Sequence, residues 1–176
     1  MDKCVFCDIA AKRVPAAVVY EDADVVAFLD INPLNRGHTI VAPKQHVRWA
    51  YDIDKFGDFA EVAKAVANAA VSALGAKSVN FMTVGEEVVH AHMHVVPRYE
   101  KDGHGSLPMP GAVKQISKEE MASIAAKLAD AIAKAPPRKC AGEAAPKVEA
   151  KPAEHIMEDE LSEEQAELVR HELECG

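Results

Sequence analysis

The stretch Val88-Val89-His90-Ala91-His92-Met93-His94-Val95-Val96 decides how this chain is read. On a strand, alternate residues share a face. His90, His92 and His94 then project from one side, and Val89, Ala91, Met93 and Val95 from the other, towards a core. A single histidine in an apolar strand is accounted for by packing and one hydrogen bond. Three in strict alternation make a cluster of titratable groups, the arrangement found at functional sites. Two chemistries suit such a face: metal binding through neutral imidazole, and nucleophilic catalysis through an imidazole nitrogen that holds a covalent intermediate.

Outward from this stretch the pattern is alternately strand and helix. Pro97 is expected to end the histidine strand, and Ser78–Val84 to form the strand before it. Phe56, Phe59, Val62, Ala63, Val66, Ala70 and Leu74 recur at helical spacing. They predict a helix over Asp54–Leu74, with Asp54 as its cap and Gly75 at its end. Ala17–Tyr20, Val25–Asp30 and His38–Ala42 read as strands, separated by acidic or Asn/Pro/Gly-containing turns. A short helix is expected over Asp8–Arg13. Ser117-Lys118-Glu119-Glu120 is a capping box opening a helix to about Ala135. The order strand, strand, strand, helix, strand, strand implies an α+β fold with a largely antiparallel five-stranded sheet, one long helix and a C-terminal helical extension.

The expected organisation is a domain over 1–116, the helix over 117–135, a Pro/Ala-rich linker over 136–156 and an acidic tail helix over 157–176. The tail's Leu161, Leu168, Val169 and Leu173 give one modest stripe, read either as a solvated helix or as a docking peptide for a protein partner. The chain has 176 residues with 28 acids and 20 bases. Nine of those acids and one base lie in 153–176, leaving 19 of each elsewhere. The acidity therefore belongs to the tail, and a nucleic-acid-binding stripe is not expected. No apolar run approaches membrane-spanning length and the N-terminus lacks a secretory h-region, so a cytoplasmic setting is expected. Cys4 and Cys7 form a close pair that reads as a metal or redox site rather than a disulfide framework.

With these residues in place the sequence resembles the histidine triad (HIT) family of nucleotide hydrolases and transferases, in its Hint-like or general bacterial-type branch. The resemblance rests on H-x-H-x-H followed by two apolar residues. It extends through Cys4–Ile9, Tyr20-Glu21-Asp22, Phe28–Pro33, Gly37–Val41, Pro43-Lys44-Gln45-His46 and His90–Tyr99, covering roughly residues 3–101.

The resemblance implies that His92 is the nucleophile, attacking the α-phosphorus of a nucleotide. It implies that His94 contacts the phosphate oxygens and that His38 supports the site from a neighbouring strand. Asp30 would hold the ribose hydroxyls, and Phe28, Ile31 and Ile9 would wall the base. Thr83 and Glu86 fall where nucleotide contacts are expected. Members with an N-terminal C-x-x-C resemble the galactose-1-phosphate uridylyltransferases, which implies a structural zinc held by Cys4, Cys7, His46 and His90. Such a closed four-ligand set suits a structural site. A homodimer pairing through the long helix and adjacent strand is also implied, with no nucleic acid or membrane partner.

The chain departs from the family pattern before the triad. The loop between Asn80 and Gly85 is several residues short, and Glu86 stands in place of a glutamine, with Glu87 where some branches have serine. An ionised carboxylate accepts hydrogen bonds only and repels phosphate. Weakened activity or a basic, amine leaving group would follow. The expected function is hydrolysis of purine nucleoside 5′-phosphoramidates or related nucleotidyl compounds, adenosine 5′-monophosphoramidase-like, ahead of dinucleoside polyphosphate cleavage. Two other readings stay open: a zinc-stabilised nucleotide-binding module with weak or no catalysis, its acidic tail recruiting a partner, and a metalloenzyme centred on the triad.

Overall fold

The computed structural model describes residues 4–108 and 113–140. Five strands form one antiparallel sheet: β1 Val18–Glu21, β2 Val25–Leu29, β3 Thr39–Pro43, β4 Ser78–Met82 and β5 Met93–Arg98. Their spatial order is β1-β2-β3-β5-β4. The helices are α1 Val5–Ala10, α2 Phe56–Leu74 and α3 Lys118–Lys134, with a 3₁₀ turn at Ala50–Asp52. This is the α+β architecture expected from the sequence.

Both faces of the central strands are covered, because β2 and β3 are buried at every position. On one face Val25, Ala27, Leu29, Val41 and Val95 pack with Phe59, Val62 and Val66 of α2 and Ile124, Leu128 and Ile132 of α3. Ala63, Ala67 and Ala70 on α2 are buried too, and their small side chains let the helix lie close to the sheet. On the other face Val26, Phe28, Ile40 and Ala42 meet Phe6 and Ile9 of α1. His94 is the cross-strand partner of Ile40. Directly opposed residues in a ladder share a face, so His94 emerges on the α1 side, where the helical cover is short.

Three local expectations change. The first helix begins and ends earlier than Asp8–Arg13. Lys12 has φ 59°, Arg13 N–H donates back to the Asp8 carbonyl at 2.8 Å, and the Arg13 side chain bonds the Asp8 carboxylate, so the chain turns there. α2 starts at Phe56 with Lys55 at its N-cap and no side-chain cap, so Asp54 does not serve. Its C-terminal Gly75 is left-handed (φ 73°), and Ser117 accepts the Glu120 N–H at 3.1 Å to cap α3.

The third change matters for the site. The expected strand Val88–Val96 is displaced towards its C-terminus. Ala91 N–H donates to the Val47 carbonyl at 2.6 Å and His90 N–H to the Val88 carbonyl at 2.8 Å, so His90 to His92 leave the ladder. Pro97 lies inside β5, opposite Val79. Among the described residues no helix is long and apolar enough to cross a membrane. The tail helix expected over 157–176 and most of the linker expected over 136–156 lie outside the described residues.

Candidate active site

His38 sits just before β3, where Gly37 (φ 81°) turns the chain inward; a Cβ at 37 would fall 2.5 Å from Leu74 Cδ1. The His38 ring is almost wholly buried. Its Nδ1 accepts the Leu34 N–H at 3.1 Å, so its proton resides on Nε2. That Nε2–H donates to His94 Nδ1 at 3.0 Å. His94 then carries its proton on Nε2, 3.1 Å from His92 Nε2. At the far end His92 Nδ1–H donates to the His90 carbonyl at 2.7 Å. A backbone N–H can only donate and a carbonyl can only accept, so the two ends impose one direction on the whole chain. The result is a His92 Nε2 that is unprotonated, its lone pair accepting the His94 Nε2–H in this structure.

Burial favours the neutral form of His38 and His94. It pushes the His38 imidazole down to about 4, with the Asp30 carboxylate opposing and His94 and His92 reinforcing. Burial also lowers His94, and His92 beside it adds to the shift. Asp30 Oδ2 lies 3.5 Å from His38 Nδ1. That nitrogen's lone pair is already used by Leu34, so the contact is not an ion pair.

A cavity of about 340 Å³ opens beside His92 and His94. It lies at the lower end of the roughly 300–1,000 Å³ usual for small-molecule sites. Phe28, Ile9 and Phe6 form an apolar wall, with Asp30 and Ile31 also in the lining. The Phe6 ring stands edge-on to His92, centroids 5.1 Å apart, and edge-on to Phe28 at 5.5 Å. Ile31 is 80% exposed and reaches the cavity from its rim. Asp30 is anchored by the Asn32 N–H at 2.9 Å on Oδ1. Thr83 and Glu86 do not line this cavity; they line another that also touches His92. Glu87 lines the first instead. Sequence reasoning left Phe6 and Glu87 out of the site, although Phe6 shares a helical face with Ile9 and Glu87 stands one residue past the expected contact.

The four residues expected to hold zinc gather separately. Cys4 and Cys7 sit one helical turn apart at the start of α1. Their thiols, His46 Nδ1 and His90 Nδ1 lie within 4.8 Å of one another. His90 Nδ1 is 3.3 Å from Cys4 Sγ, 3.4 Å from Cys7 Sγ and 3.2 Å from His46 Nδ1. His90 Nε2–H donates to the Pro43 carbonyl at 2.8 Å, which frees Nδ1 as a ligand atom and fixes the ring. Burial, with Cys4 alongside, pushes the Cys7 thiol up to about 11. Two sulfurs and two imidazole nitrogens at this spacing fit a tetrahedral zinc. A second group, Asp30, His38 and His94, also has donor atoms within that range. Its nitrogens are committed to the hydrogen-bonded chain, so it suits a cation less well.

The HIT domain pattern matches residues 11–101 of this sequence. The chain belongs to the HIT family. A HIT-like protein of Methanocaldococcus jannaschii is 39% identical over 125 residues, which span 67% of this chain and 95% of that protein. The adenylylsulfatase HINT3 of Arabidopsis thaliana is 34% identical over 106 residues, 56% of this chain and 54% of its own. Among solved structures, a zinc-bound histidine triad family protein from Mycobacterium smegmatis superposes with a TM-score of 0.62 at 31% identity, covering 75% of this chain and 94% of that one. The HIT family comprises nucleotide-binding hydrolases and transferases.

Proposed function

We propose that this HIT protein hydrolyses purine nucleoside 5′-phosphoramidates, or related nucleotidyl compounds, to the nucleoside monophosphate through a nucleotidyl-His92 intermediate. The observation that carries the reading is the fixed tautomer of His92: Nδ1–H held by the His90 carbonyl and Nε2 presented at a nucleoside-sized cavity.

In this reading the base lies against Phe28, Ile9 and Phe6, and the ribose diol donates to Asp30, an acceptor when ionised. His92 Nε2 attacks the α-phosphorus. The N–P bond forms as the bond to the leaving amine breaks, and the amine takes its electron pair and a proton from water. The imidazole keeps its Nδ1 proton throughout, so the positive charge of the adduct is shared with the His90 carbonyl. His94 turns its Nε2–H from His92 to a phosphate oxygen, a charge-assisted donor in a partly buried site. Water then attacks phosphorus, loses a proton and releases the monophosphate with neutral His92. The Arabidopsis relative's name, adenylylsulfatase, supports an adenylyl compound as substrate.

Zinc on Cys4, Cys7, His46 and His90 is part of the proposal, supported by the donor set and by the zinc-bound M. smegmatis structure. A bound zinc would supply a structural cross-link. Through this chain's own residues, that cross-link would seat the carbonyl on which His92 depends. A homodimer is supported by the edge position of β4 and by Phe81 and Val71, which are 48% and 47% exposed on β4 and α2.

The test is incubation with adenosine 5′-phosphoramidate, with mass spectrometry for AMP and for the adduct on His92. His92→Ala is expected to abolish the adduct and lower turnover by about 10³-fold or more. Undiminished turnover would end the reading. The exposed carboxylates of Glu86 and Glu87 favour one other outcome, a nucleotide-binding module that holds AMP without turnover. Binding without adduct or product would identify it.

A further inference from the structure

The second cavity that shares His92 has a volume of about 240 Å³ and walls from two loops, one carrying Trp49 and Tyr51 after β3, the other carrying Thr83, Gly85 and Glu86. Its aromatic wall is built. A Cβ at Gly85 would collide with the Trp49 indole, so the seat of that ring depends on glycine. The Arg48 guanidinium lies 4.7 Å from the Trp49 ring centroid. Tyr51 stacks on Trp49 at 15° between planes and 6.1 Å between centroids. Tyr51 is thereby held in place while 79% exposed. An aromatic ring already ordered before binding loses little conformational freedom when a planar group stacks on it. The hydrolytic steps described above use none of these residues.

The α-phosphorus of the substrate carries a nucleoside and a leaving group. The apolar cavity with Asp30 suits the nucleoside, so the leaving group requires different space next to His92. A further cavity near the triad, beside His38 and His94, contains Asp30 and Glu87 but no Phe, Tyr or Trp among its described lining residues. We propose that Trp49, Tyr51 and Glu86 form the leaving-group subsite, and that it selects amines carrying a planar ring. The ring stacks on Tyr51, and the N–H of the scissile P–N unit donates to the Glu86 carboxylate. As the P–N bond breaks, nitrogen keeps the electron pair and takes a proton from water; Glu86 orients the group and exchanges no proton. The inference rests on the His92 reading and adds the substrate class to it.

The experiment compares two adenosine phosphoramidates, of benzylamine and of cyclohexylmethylamine, with the full chain. The readout is the ratio of their kcat/KM values, followed from wild type to variants, so the difference in amine basicity cancels. Tyr51→Ala is expected to lower the aromatic-to-alicyclic ratio about two- to tenfold. Tyr51→Phe, which keeps the ring, is expected to retain the wild-type ratio. Tyr51→Leu serves in place of the alanine variant if that one does not fold. Turnover of both compounds with an unaltered ratio overturns the subsite and leaves the hydrolase standing. Absence of both turnover and a His92 adduct in the wild type overturns the hydrolase and the subsite together.

Discussion

Replacing His38 with phenylalanine tests whether the hydrogen-bonded chain sets the chemistry. The ring is buried and meets two partners, the Leu34 N–H at 3.1 Å and His94 Nδ1 at 3.0 Å. Phenylalanine fills the space and serves neither. The Leu34 N–H becomes a buried donor without an acceptor, a loss of about 1–3 kcal/mol of stability. His94 is then free to carry its proton on Nδ1, which turns a lone pair towards the phosphate. Losing one donor to a charged oxygen costs about 1.5–3 kcal/mol, or roughly 10- to 150-fold in kcat/KM. Glutamine at 38 offers one acceptor and one donor, and is expected to recover most of both losses. The assay is steady-state hydrolysis of adenosine phosphoramidate alongside urea unfolding of wild type, His38→Phe and His38→Gln. A folded phenylalanine variant within twofold of wild type, or a glutamine variant no better than phenylalanine, would refute the reasoning.

Cys4→Ser is expected to lower zinc stoichiometry and the Tm together, read by metal analysis and calorimetry; full zinc content with an unaltered Tm would remove the four-ligand site. Stability should fall on acidification between about pH 6.5 and 4. The folded His38 stays neutral down to about 4 while the unfolded chain protonates near 6.5, so the unfolded state binds the extra proton in that window. His38 alone contributes at most about 3 kcal/mol by this linkage, and His90 and His94 shift the same way. Urea midpoints at pH 7 and pH 4.5 decide it, and a flat profile counts against a buried neutral His38. Glu86→Gln should raise turnover of a diadenosine polyphosphate relative to a phosphoramidate, because it removes a charge that repels phosphate and favours an amine; a constant ratio would dismiss that role.

The alternation of His90, His92 and His94 with apolar residues was legible in the sequence, as were the five strands and the capped α3, because periodicity and capping are local properties. The HIT resemblance supplied the proposal that Cys4, Cys7, His46 and His90 hold a metal and that His92 is the nucleophile. What local pattern could not convey is that the three histidines part company, His90 joining the cysteines and His46 while His92 and His94 pair with each other. Hydrogen bonding to the Val47 carbonyl pulls residues 90–92 out of the ladder, and only that bend lets His90 reach Cys4, Cys7 and His46 while His92 turns to His94. The direction of the proton chain likewise depends on two backbone groups, the Leu34 N–H and the His90 carbonyl, and side-chain spacing says nothing of either. The separation of Glu86 from Glu87 into different cavities has the same origin, since neighbouring residues on a loop diverge according to what packs against them, here Trp49 over Gly85. Residue type and period determined which groups this protein has for its chemistry; the tertiary structure decided which atom of each ring donates and which accepts, because each tautomer is set by a nearby backbone group that the local turn brings onto the ring and by a second imidazole that only the folded sheet brings alongside.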